Sequence, residues 1–593
     1  SVPGPGPYLL GVEVDARKEA GARAPELFGG GEREDHVELY VKSGTRFRSE
    51  PLGAGARAVL GALLLLATGL YLFEAGHTPF FEPDEARYAE IPREMLATGD
   101  FVTPRVNGFL AYIKPPLHYW TVAASMSVFG ETERAARVPA RLAAVGTILV
   151  TILFAWRRYG ERVALLSGLV LATSFLVVAI GRLNITAGPM PLWVSTAAFA
   201  FASFQEHERA GDRGRARRSL YILHVACAGA VMTKGFLGLV LPGGAILVWA
   251  ALSRRLAIVP RLFAPGPLAV FLTLALPWHV VISGRHEAWF DTYVVGEHFR
   301  RYFETVHRRS AHPLLYVGVF LAGMLPWSAF LGRLAGSVPS LRRGEWRERG
   351  AEAYLHVFWV FVFVLLSLSR SKLPAYVLPI WPAVAVLLAL GLERARQRGA
   401  TLRAERWMVG ILFGLLAGGA AAYAFGARQA ARYGVETEAA FAVGFLALGA
   451  LLNLLPAGWA SAGRRPVQTE RLALTVAGPW VGFVAALVMA LPAVARSVTM
   501  WPLVSTLDRE LRPDDILLQR GHYTQAIPFY ARRLTPLSDL SFSELDFGRE
   551  EARTRGLLLD EPEFARKWNG PARVLCVVHY GGLRDFSDPE LGL

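Results

Sequence analysis

The chain has 593 residues, of which 53% are hydrophobic and only 19% are charged, and its mean hydropathy is +0.32. A water-soluble globular protein does not need this balance, so the composition predicts a membrane protein. The formal net charge of +14 does not indicate nucleic-acid binding, because the basic residues form short clusters between apolar runs and not one continuous face. Two cysteines, Cys227 and Cys576, are too few for a disulfide framework.

Residues 1–50 contain no apolar core of signal-peptide length, and we interpret 1–55 as a loosely structured extension. A transmembrane helix needs about 20 apolar residues. Thirteen runs approach this length, so we predict about thirteen transmembrane helices within a membrane domain at 56–495. The runs lie near 57–75, 138–156, 163–181, 189–205, 219–233, 235–252, 265–283, 313–333, 352–369, 374–392, 407–427, 438–455 and 472–495.

The apolar stretch 117–129 is too short to span comfortably, so we predict that it lies flat on the membrane surface. With this choice the Arg-rich loops all fall on one side, which the positive-inside rule assigns to the cytoplasm together with the N-terminus. The other side receives the loop 76–137, the loop 284–312 and the C-terminal stretch 496–593. In a bacterial inner membrane that side is the periplasm.

The C-terminal stretch 496–593 alternates strand-like runs (DILLQ, RVLCVVHY) with helix-like runs (YTQAIPFYARRL, FARKW). Polar turns separate these runs. The pattern predicts a small soluble α/β domain outside the membrane. The predicted fold class is therefore a polytopic all-α membrane protein with interfacial helices in its first outer loop and an α/β cap.

The first outer loop is longer than a connection requires, and long ordered loops are more often functional. Asp84 and Glu85 are adjacent, so on a helix they point about 100° apart and cannot address the same point. Asp84 has two interpretations, a helix N-cap or a catalytic carboxylate. The helical spacing of charged residues after it suits a salt-bridged surface; these residues are Glu85, Arg87, Glu90, Arg93 and Glu94.

Lys114 precedes two prolines where the chain returns to the membrane. The prolines hold the backbone extended, which places a cation where a phosphate headgroup could lie. The alternative is an interfacial lysine that reaches toward lipid headgroups. TKGFLG at 233–238 lacks P-loop spacing, so we expect its Lys234 to contact a lipid phosphate and not a nucleotide.

PDEARYAEIPREMLATGD and KPPLHYW in the first outer loop resemble the bacterial aminoarabinose transferases of lipid A and their protein O-mannosyltransferase relatives, which are GT-C-type glycosyltransferases. The resemblance continues through ARVPARLAA, TKGFLGLVLP, GEHFRRYF, HPLLYVGVFLAGMLPW and SRSKLPAYVLPIWP, and it covers roughly 55–500. It implies transfer, with inversion, of a sugar from a polyprenyl-phosphate donor to an envelope acceptor such as lipid A, at the periplasmic face.

The resemblance also implies residue roles. The acidic residue that is essential in the family corresponds to Asp84, and the lysine that contacts the donor phosphate corresponds to Lys114. Tyr376 of KLPAY is expected to line the donor site, and the histidine of the EH pair corresponds to His298. Further candidates for substrate binding are Glu85, Arg87, Tyr112, Lys234 and Lys372.

The sequence departs from the family at three positions. Ile113 stands where members commonly have an acidic residue that can bind a metal with the EH histidine, so we expect no required metal or other cofactor. Ala111 replaces a usual tyrosine, and GRLNITAGPMPLW lacks the typical acidic residue, leaving Asn184 or nothing in its place. These changes leave the sugar unassigned.

Two other classes compete with a transferase. A lipid-linked sugar transporter or flippase also needs many spans, but internal repeats and mid-membrane charges are not evident. A structural scaffold does not need the charged residues concentrated at 82–114. Within the transferase class, a protein O-mannosyltransferase-like enzyme is the alternative.

Overall fold

The computed structural model describes residues 52–74, 76–111, 114–300, 312–339, 346, 349–459, 469–539, 545 and 548–578. Most of the described chain is helical. The α-helices are Ala54–Leu72, Asp84–Thr98, Leu117–Phe129, Glu133–Tyr159, Glu161–Thr173, Phe175–Gly181, Met190–Arg209, Arg213–Lys234, Leu237–Leu252, Val259–Leu262, Pro265–Arg285, Leu315–Gly323, Gly350–Leu368, Trp381–Gln397, Arg403–Ala421, Gln429–Tyr433, Glu436–Trp459, Thr469–Leu472, Gly478–Val498, Trp501–Glu510, Ala526–Ala531, Arg549–Thr554 and Glu561–Trp568. Tighter 3₁₀ segments are Leu256–Ile258, Trp327–Ser337 and Pro374–Ile380, and wider π segments are Phe290–Arg300, Ala422–Gly426 and Ala473–Ala477.

Eight helices in the described ranges are long and apolar enough to cross a membrane, or up to ten if each of two bent pairs forms one span. Each of these falls on a run predicted from the sequence. The bent pairs are Glu161–Thr173 with Phe175–Gly181, at 62°, and Leu315–Gly323 with Trp327–Ser337, at 102°. The other three predicted runs are also helical, at Met190–Arg209, Arg213–Lys234 and the 16-residue Leu237–Leu252. The multi-pass membrane fold is confirmed, and the number thirteen stays a prediction.

The helices differ in how much of their surface other helices cover. In the most apolar 18-residue window of Pro374–Gln397, 94% of the residues are buried inside the protein, whereas in Ala54–Leu72 the share is only 17%. Exposed leucines such as Leu65 and Leu415 belong to the poorly covered helices, as expected for side chains that face lipid. The Pro374–Gln397 segment is therefore the centre of the bundle.

Two buried indoles bind one residue, Thr173, at the centre of the bundle. Trp327 and Trp480 are at most 1% exposed. The Trp327 indole N–H donates to the Thr173 hydroxyl at 2.8 Å, and the Trp480 indole N–H donates to the Thr173 carbonyl at 2.8 Å. Away from water each N–H needs a partner. Thr173, at the bend of the first bent pair, therefore connects that pair to the second bent pair and to the last span.

The first outer loop folds into a helix, a hairpin and a second helix. The helix Asp84–Thr98, hereafter the Asp84 helix, ends at Gly99, whose φ of 74° allows the left-handed cap. Strands β1 (Arg105–Val106) and β2 (Phe109–Leu110) pair antiparallel around Asn107-Gly108. Both turn residues have positive φ, as this two-residue turn requires.

Helix Leu117–Phe129 occupies the stretch that we predicted to lie on the membrane surface. Its last two residues, Val128 and Phe129, are 72% and 65% exposed. Apolar side chains left open at a helix end suit an interfacial position. The orientation of this helix relative to the bilayer stays a prediction.

The charged residues of the Asp84 helix do not form a surface, so that expectation is wrong. The C-terminal domain covers the helix, and its Tyr523 and Leu537 pack with Tyr88 and Ile91. All five charged residues named above are buried, at 0–7% exposure. Each must therefore have a specific partner, because an unpaired buried charge is costly.

The C-terminal domain contains a four-stranded parallel sheet in the order β5-β4-β3-β6. Its strands are β3 (Ile516–Arg520), β4 (Leu537–Ser538), β5 (Leu558–Leu559) and β6 (Val574–Val578). The two strand-like runs of the sequence form β3 and β6, which pair from Ile516↔Val574 to Arg520↔Val578. Helix Glu561–Trp568 begins with a capping box between Asp560 and Glu563.

One asparagine joins this domain to the hairpin of the first outer loop. The Asn107 side-chain amide donates to the Thr535 carbonyl at 2.7 Å, and its oxygen accepts from the Thr535 backbone N–H at 2.8 Å. Asn107 is fully buried. The hairpin turn is thus one of the points at which the C-terminal domain is held against the membrane domain, together with the bond that the Ala526 N–H donates to Glu82 at 2.7 Å.

Candidate functional site

Asp84 begins the Asp84 helix and keeps access to solvent. Its side chain is 35% exposed, and Arg87 Nη1 lies 3.4 Å from its Oδ1. The N-cap position belongs to Pro83, and no side-chain capping hydrogen bond is present. The capping interpretation is therefore wrong, and the carboxylate remains available for chemistry.

Glu85, the next residue, faces the protein interior. Its carboxylate accepts from Arg137 Nε at 2.9 Å and Nη2 at 2.7 Å, and from the backbone N–H groups of Phe81 at 3.0 Å and Asn184 at 2.8 Å. Burial acts to raise the pKa of Glu85, but Arg137 and these hydrogen bonds outweigh it and hold the pKa below its usual range. The adjacent carboxylates therefore have opposite environments, as the 100° offset predicts.

The Arg137 guanidinium binds both the chain segment that precedes the Asp84 helix and the first turn of that helix. Its side chain is 2% exposed, and besides Glu85 it donates to the carbonyls of Thr78 at 2.7 Å and Pro79 at 2.9 Å. The Arg137 guanidinium thus holds both the loop before the Asp84 helix and its first turn. Sequence reasoning did not select Arg137, although an arginine in the apolar ARVPARLAA stretch is a signal, because a charge there must be paired.

A tyrosine connects Asp84 to the Tyr376 region. Burial raises the pKa of Tyr88 to about 12, and the Asp84 carboxylate adds to the increase. Tyr376 acts on the same hydroxyl in the same direction, and Thr186 hydrogen-bonds to it. Asp84 and Tyr376, which are almost 300 positions apart in the sequence, therefore both act electrostatically on Tyr88.

Tyr376 also makes a cation–π contact with Lys234. Lys234 ends helix Arg213–Lys234, and its Nζ lies 4.3 Å from the centroid of the Tyr376 ring. The two residues line a small cavity with Leu237, Leu241 and Leu366. An ammonium group beside an apolar cavity can bind an anionic headgroup whose tail is apolar.

Two other lysines occupy different positions. Lys372 is 6% exposed and donates from Nζ to the Ser369 carbonyl, so it faces the turn that carries Tyr376. Lys114 is half-buried and lies three residues before Leu117, the first residue of helix Leu117–Phe129. The predicted roles of both residues at a phosphate stay predictions.

Two predicted site residues cannot be placed completely. Tyr112 lies outside the described residues, together with Ile113. His298 belongs to the π segment Phe290–Arg300, but its side chain is outside the description. Their predicted roles are not tested by the structure.

Asn184 and His118 were not selected as site residues, but both contact the Asp84 region. Asn184 Nδ2 donates to the Glu85 carbonyl at 3.2 Å, and its Oδ1 lies 3.0 Å from His118 Nε2. A carboxylate at position 184 would lose the donated bond and face the Glu85 carbonyl. Asn184 therefore has a structural reason to be neutral.

A metal site is not evident in the described ranges, where no three His, Cys, Asp or Glu side chains are grouped to hold an ion. That no metal or cofactor is required stays a prediction. A cavity of about 920 Å³ lies between the loop and the C-terminal domain, lined in part by His77, Glu133, Trp501 and Tyr530. Neither Asp84 nor Tyr376 lines it.

Comparisons with known proteins identify relatives. A family model described as dolichyl-phosphate-mannose-protein mannosyltransferase matches residues 60–286. An undecaprenyl phosphate-alpha-4-amino-4-deoxy-L-arabinose arabinosyl transferase of Edwardsiella ictaluri is 36% identical over 350 residues, which are 58% of this chain and 60% of the relative. The protein of the same name from Aeromonas salmonicida is 32% identical over 413 residues, 68% of this chain and 71% of the relative. The match thus spans three fifths of the first relative and more of the second.

A solved structure extends the similarity across the fold. The crystal structure of ArnT from Cupriavidus metallidurans bound to undecaprenyl phosphate superimposes with a TM-score of 0.74 and 25% sequence identity. The match covers 90% of this chain and 95% of that chain. The similarity therefore extends over nearly the whole length of both chains.

Proposed function

Since the chain belongs to the family of the undecaprenyl phosphate-aminoarabinose arabinosyl transferases, which are GT-C membrane glycosyltransferases, we propose that it transfers a sugar from a polyprenyl phosphate to a cell-envelope acceptor such as lipid A. The proposed location is the periplasmic face of a bacterial inner membrane, with the N-terminus in the cytoplasm. The observation that carries the proposal is the position of Asp84, a solvent-reached carboxylate beside Arg87. Asp84 and Tyr376 both act electrostatically on the buried Tyr88, and the Tyr376 ring in turn carries the Lys234 ammonium group at 4.3 Å.

The donor already contains a good leaving group. In the proposed step an acceptor oxygen attacks the anomeric carbon, the bond from that carbon to the phosphate oxygen breaks, and the polyprenyl phosphate leaves with the electron pair. Lys114, with Arg87 and Lys234, offers positive charge to the departing phosphate. These cations are most useful in a site partly closed to water, where electrostatic interactions are stronger.

Asp84 has one of two roles, which depend on the acceptor. If the acceptor is a hydroxyl, the Asp84 carboxylate takes its proton as a general base. If the acceptor is a phosphate, no proton must be removed, and the negative charge of Asp84 stabilises the positive charge that develops on the sugar. Partial exposure of the side chain suits either role, because a carboxylate engaged by four donors, like that of Glu85, cannot approach a substrate.

The test measures label transfer from radiolabelled undecaprenyl-phosphate sugars to an envelope lipid extract, with purified protein in detergent. Asp84→Asn and Lys114→Ala are expected to lose more than about 100-fold in rate, since general acid–base catalysis and charge stabilisation each contribute at least that much. Asp100→Asn is the matched control. Asp100 lies in the same loop, its side chain is 37% exposed, and it pairs with Arg285 at 3.2 Å.

Transfer by the wild type and by Asp100→Asn, with loss in the other two variants, would support both the function and the site. Undiminished transfer in Asp84→Asn and Lys114→Ala would refute the site. A wild type that transfers no label from any undecaprenyl-phosphate sugar would refute the function.

A further inference from the structure

We propose that Asn184 and His118 form a positioning bridge that sets the distance between the Asp84 carboxylate and the Lys114 ammonium. The proposal rests on the transferase function above. Neither residue is expected to touch substrate. Asn184 is fully buried and His118 is 1% exposed.

The bridge joins the two segments that carry the proposed catalytic groups. Asn184 binds Glu85, the residue next to Asp84, through two bonds: its backbone N–H donates to Oε1 at 2.8 Å and its Nδ2 donates to the carbonyl at 3.2 Å. His118 lies in the first turn of helix Leu117–Phe129, four residues after Lys114. The Asn184–His118 contact of 3.0 Å therefore connects the start of one loop helix to the start of the other.

The hydrogen-bond pattern determines the protonation of the bridge. The Glu85 carbonyl only accepts, so the Asn184 atom that faces it must be the amide nitrogen. Asn184 Oδ1 then faces His118 and only accepts, so His118 Nε2 must carry the proton. Burial lowers the pKa of His118 to about 4, which leaves the ring neutral at physiological pH. The bridge is thus a neutral Nε2–H donor and an amide acceptor.

The chemical consequence is orientation. In the proposed reaction the Lys114 ammonium group acts on the departing phosphate, and the Asp84 carboxylate acts on the acceptor hydroxyl or on the sugar. The two groups must therefore be placed correctly relative to each other. A displacement of about 1 Å between groups that act together can cost about 100-fold in rate. Loss of the bridge is therefore expected to lower kcat more than it raises KM for the donor, because the phosphate-binding cations themselves remain.

The experiment compares His118→Phe and Asn184→Ala, which remove the bridge, with His118→Gln, whose side-chain amide can still donate to Asn184. Asn453→Ala is the matched control. Asn453 is also fully buried, and its amide donates to the carbonyls of Gly449 and Thr475, in the membrane domain. Thermal unfolding of each purified variant is measured beside kcat and donor KM.

We expect kcat to fall at least about tenfold in His118→Phe and Asn184→Ala, with donor KM changed less than about threefold. His118→Gln should recover most of kcat, and Asn453→Ala should lower only thermal stability. Wild-type kcat in Asn184→Ala would overturn the proposal, as would equal losses in His118→Gln and His118→Phe. If Asn184→Ala does not fold, the comparison of the two His118 variants still decides. Because the wild type must first transfer label, failure of the bridge is distinguishable from failure of the function.

Discussion

Replacement of Arg137 by alanine should destabilise the protein far more than replacement of Arg134, although both arginines lie on helix Glu133–Tyr159. The Arg137 side chain is 2% exposed and its partner Glu85 is 1% exposed, with the two joined at 2.7 Å. Arg134 is 63% exposed and lies 3.7 Å from Glu74. The two substitutions therefore compare an ion pair buried at both ends with one whose arginine is exposed and whose carboxylate, Glu74, is 6% exposed.

The magnitudes follow from what each substitution leaves behind. Arg137→Ala leaves the Glu85 carboxylate buried without a cation, which costs about 3–5 kcal/mol of unfolding free energy. Loss of the donors to the Thr78 and Pro79 carbonyls adds to this. Arg134→Ala removes only an exposed arginine, because Glu74 keeps Arg137 at 3.3 Å and Arg141 at 3.1 Å, so the expected cost is about 0–1 kcal/mol.

The assay is unfolding in mixed micelles by titration with a denaturing detergent, followed by tryptophan fluorescence. The double variant Glu85→Gln/Arg137→Met should be more stable than Arg137→Met alone, because neither member of the pair then leaves an unpaired charge. Equal effects of Arg137→Ala and Arg134→Ala would refute this reasoning. So would a double variant as unstable as the sum of its single variants.

Two further predictions concern the junction with the C-terminal domain. Asn107→Ala should weaken the attachment of that domain to the hairpin and lower the unfolding free energy by about 1–3 kcal/mol, since it leaves the buried Thr535 groups unpaired. Limited proteolysis should then cut the domain free faster than in wild type. An unchanged rate of cleavage would contradict the role of Asn107 at the junction. Burial raises the pKa of Glu82 to about 7, despite the N–H that Ala526 donates to it at 2.7 Å. A carboxyl group with a raised folded-state pKa contributes stability that is complete below its unfolded value near 4.5 and is lost as pH rises through about 7. The melting temperature of wild type should therefore fall relative to that of Glu82→Gln between pH 5 and pH 8, and parallel pH profiles would contradict the assignment.

The sequence by itself determined the class of the fold and the different directions in which Asp84 and Glu85 point. Apolar runs near 20 residues can cross a bilayer only as helices, because no water satisfies the backbone there. The strand-like runs DILLQ and RVLCVVHY likewise predicted two strands of the C-terminal sheet, the inner strand β3 and the edge strand β6. Adjacent Asp84 and Glu85 were predicted to diverge, and helix geometry alone requires this.

Only the tertiary structure decided which face of the Asp84 helix is open. Periodicity cannot distinguish a charged surface from a charged interior, because the same spacing serves both, and here the C-terminal domain covers the helix. Arg137, Asn184 and His118 gained their roles from contacts across 52 to 99 positions of sequence. Such pairings have no local pattern. They exist because each buried polar group must find a partner wherever the fold supplies one.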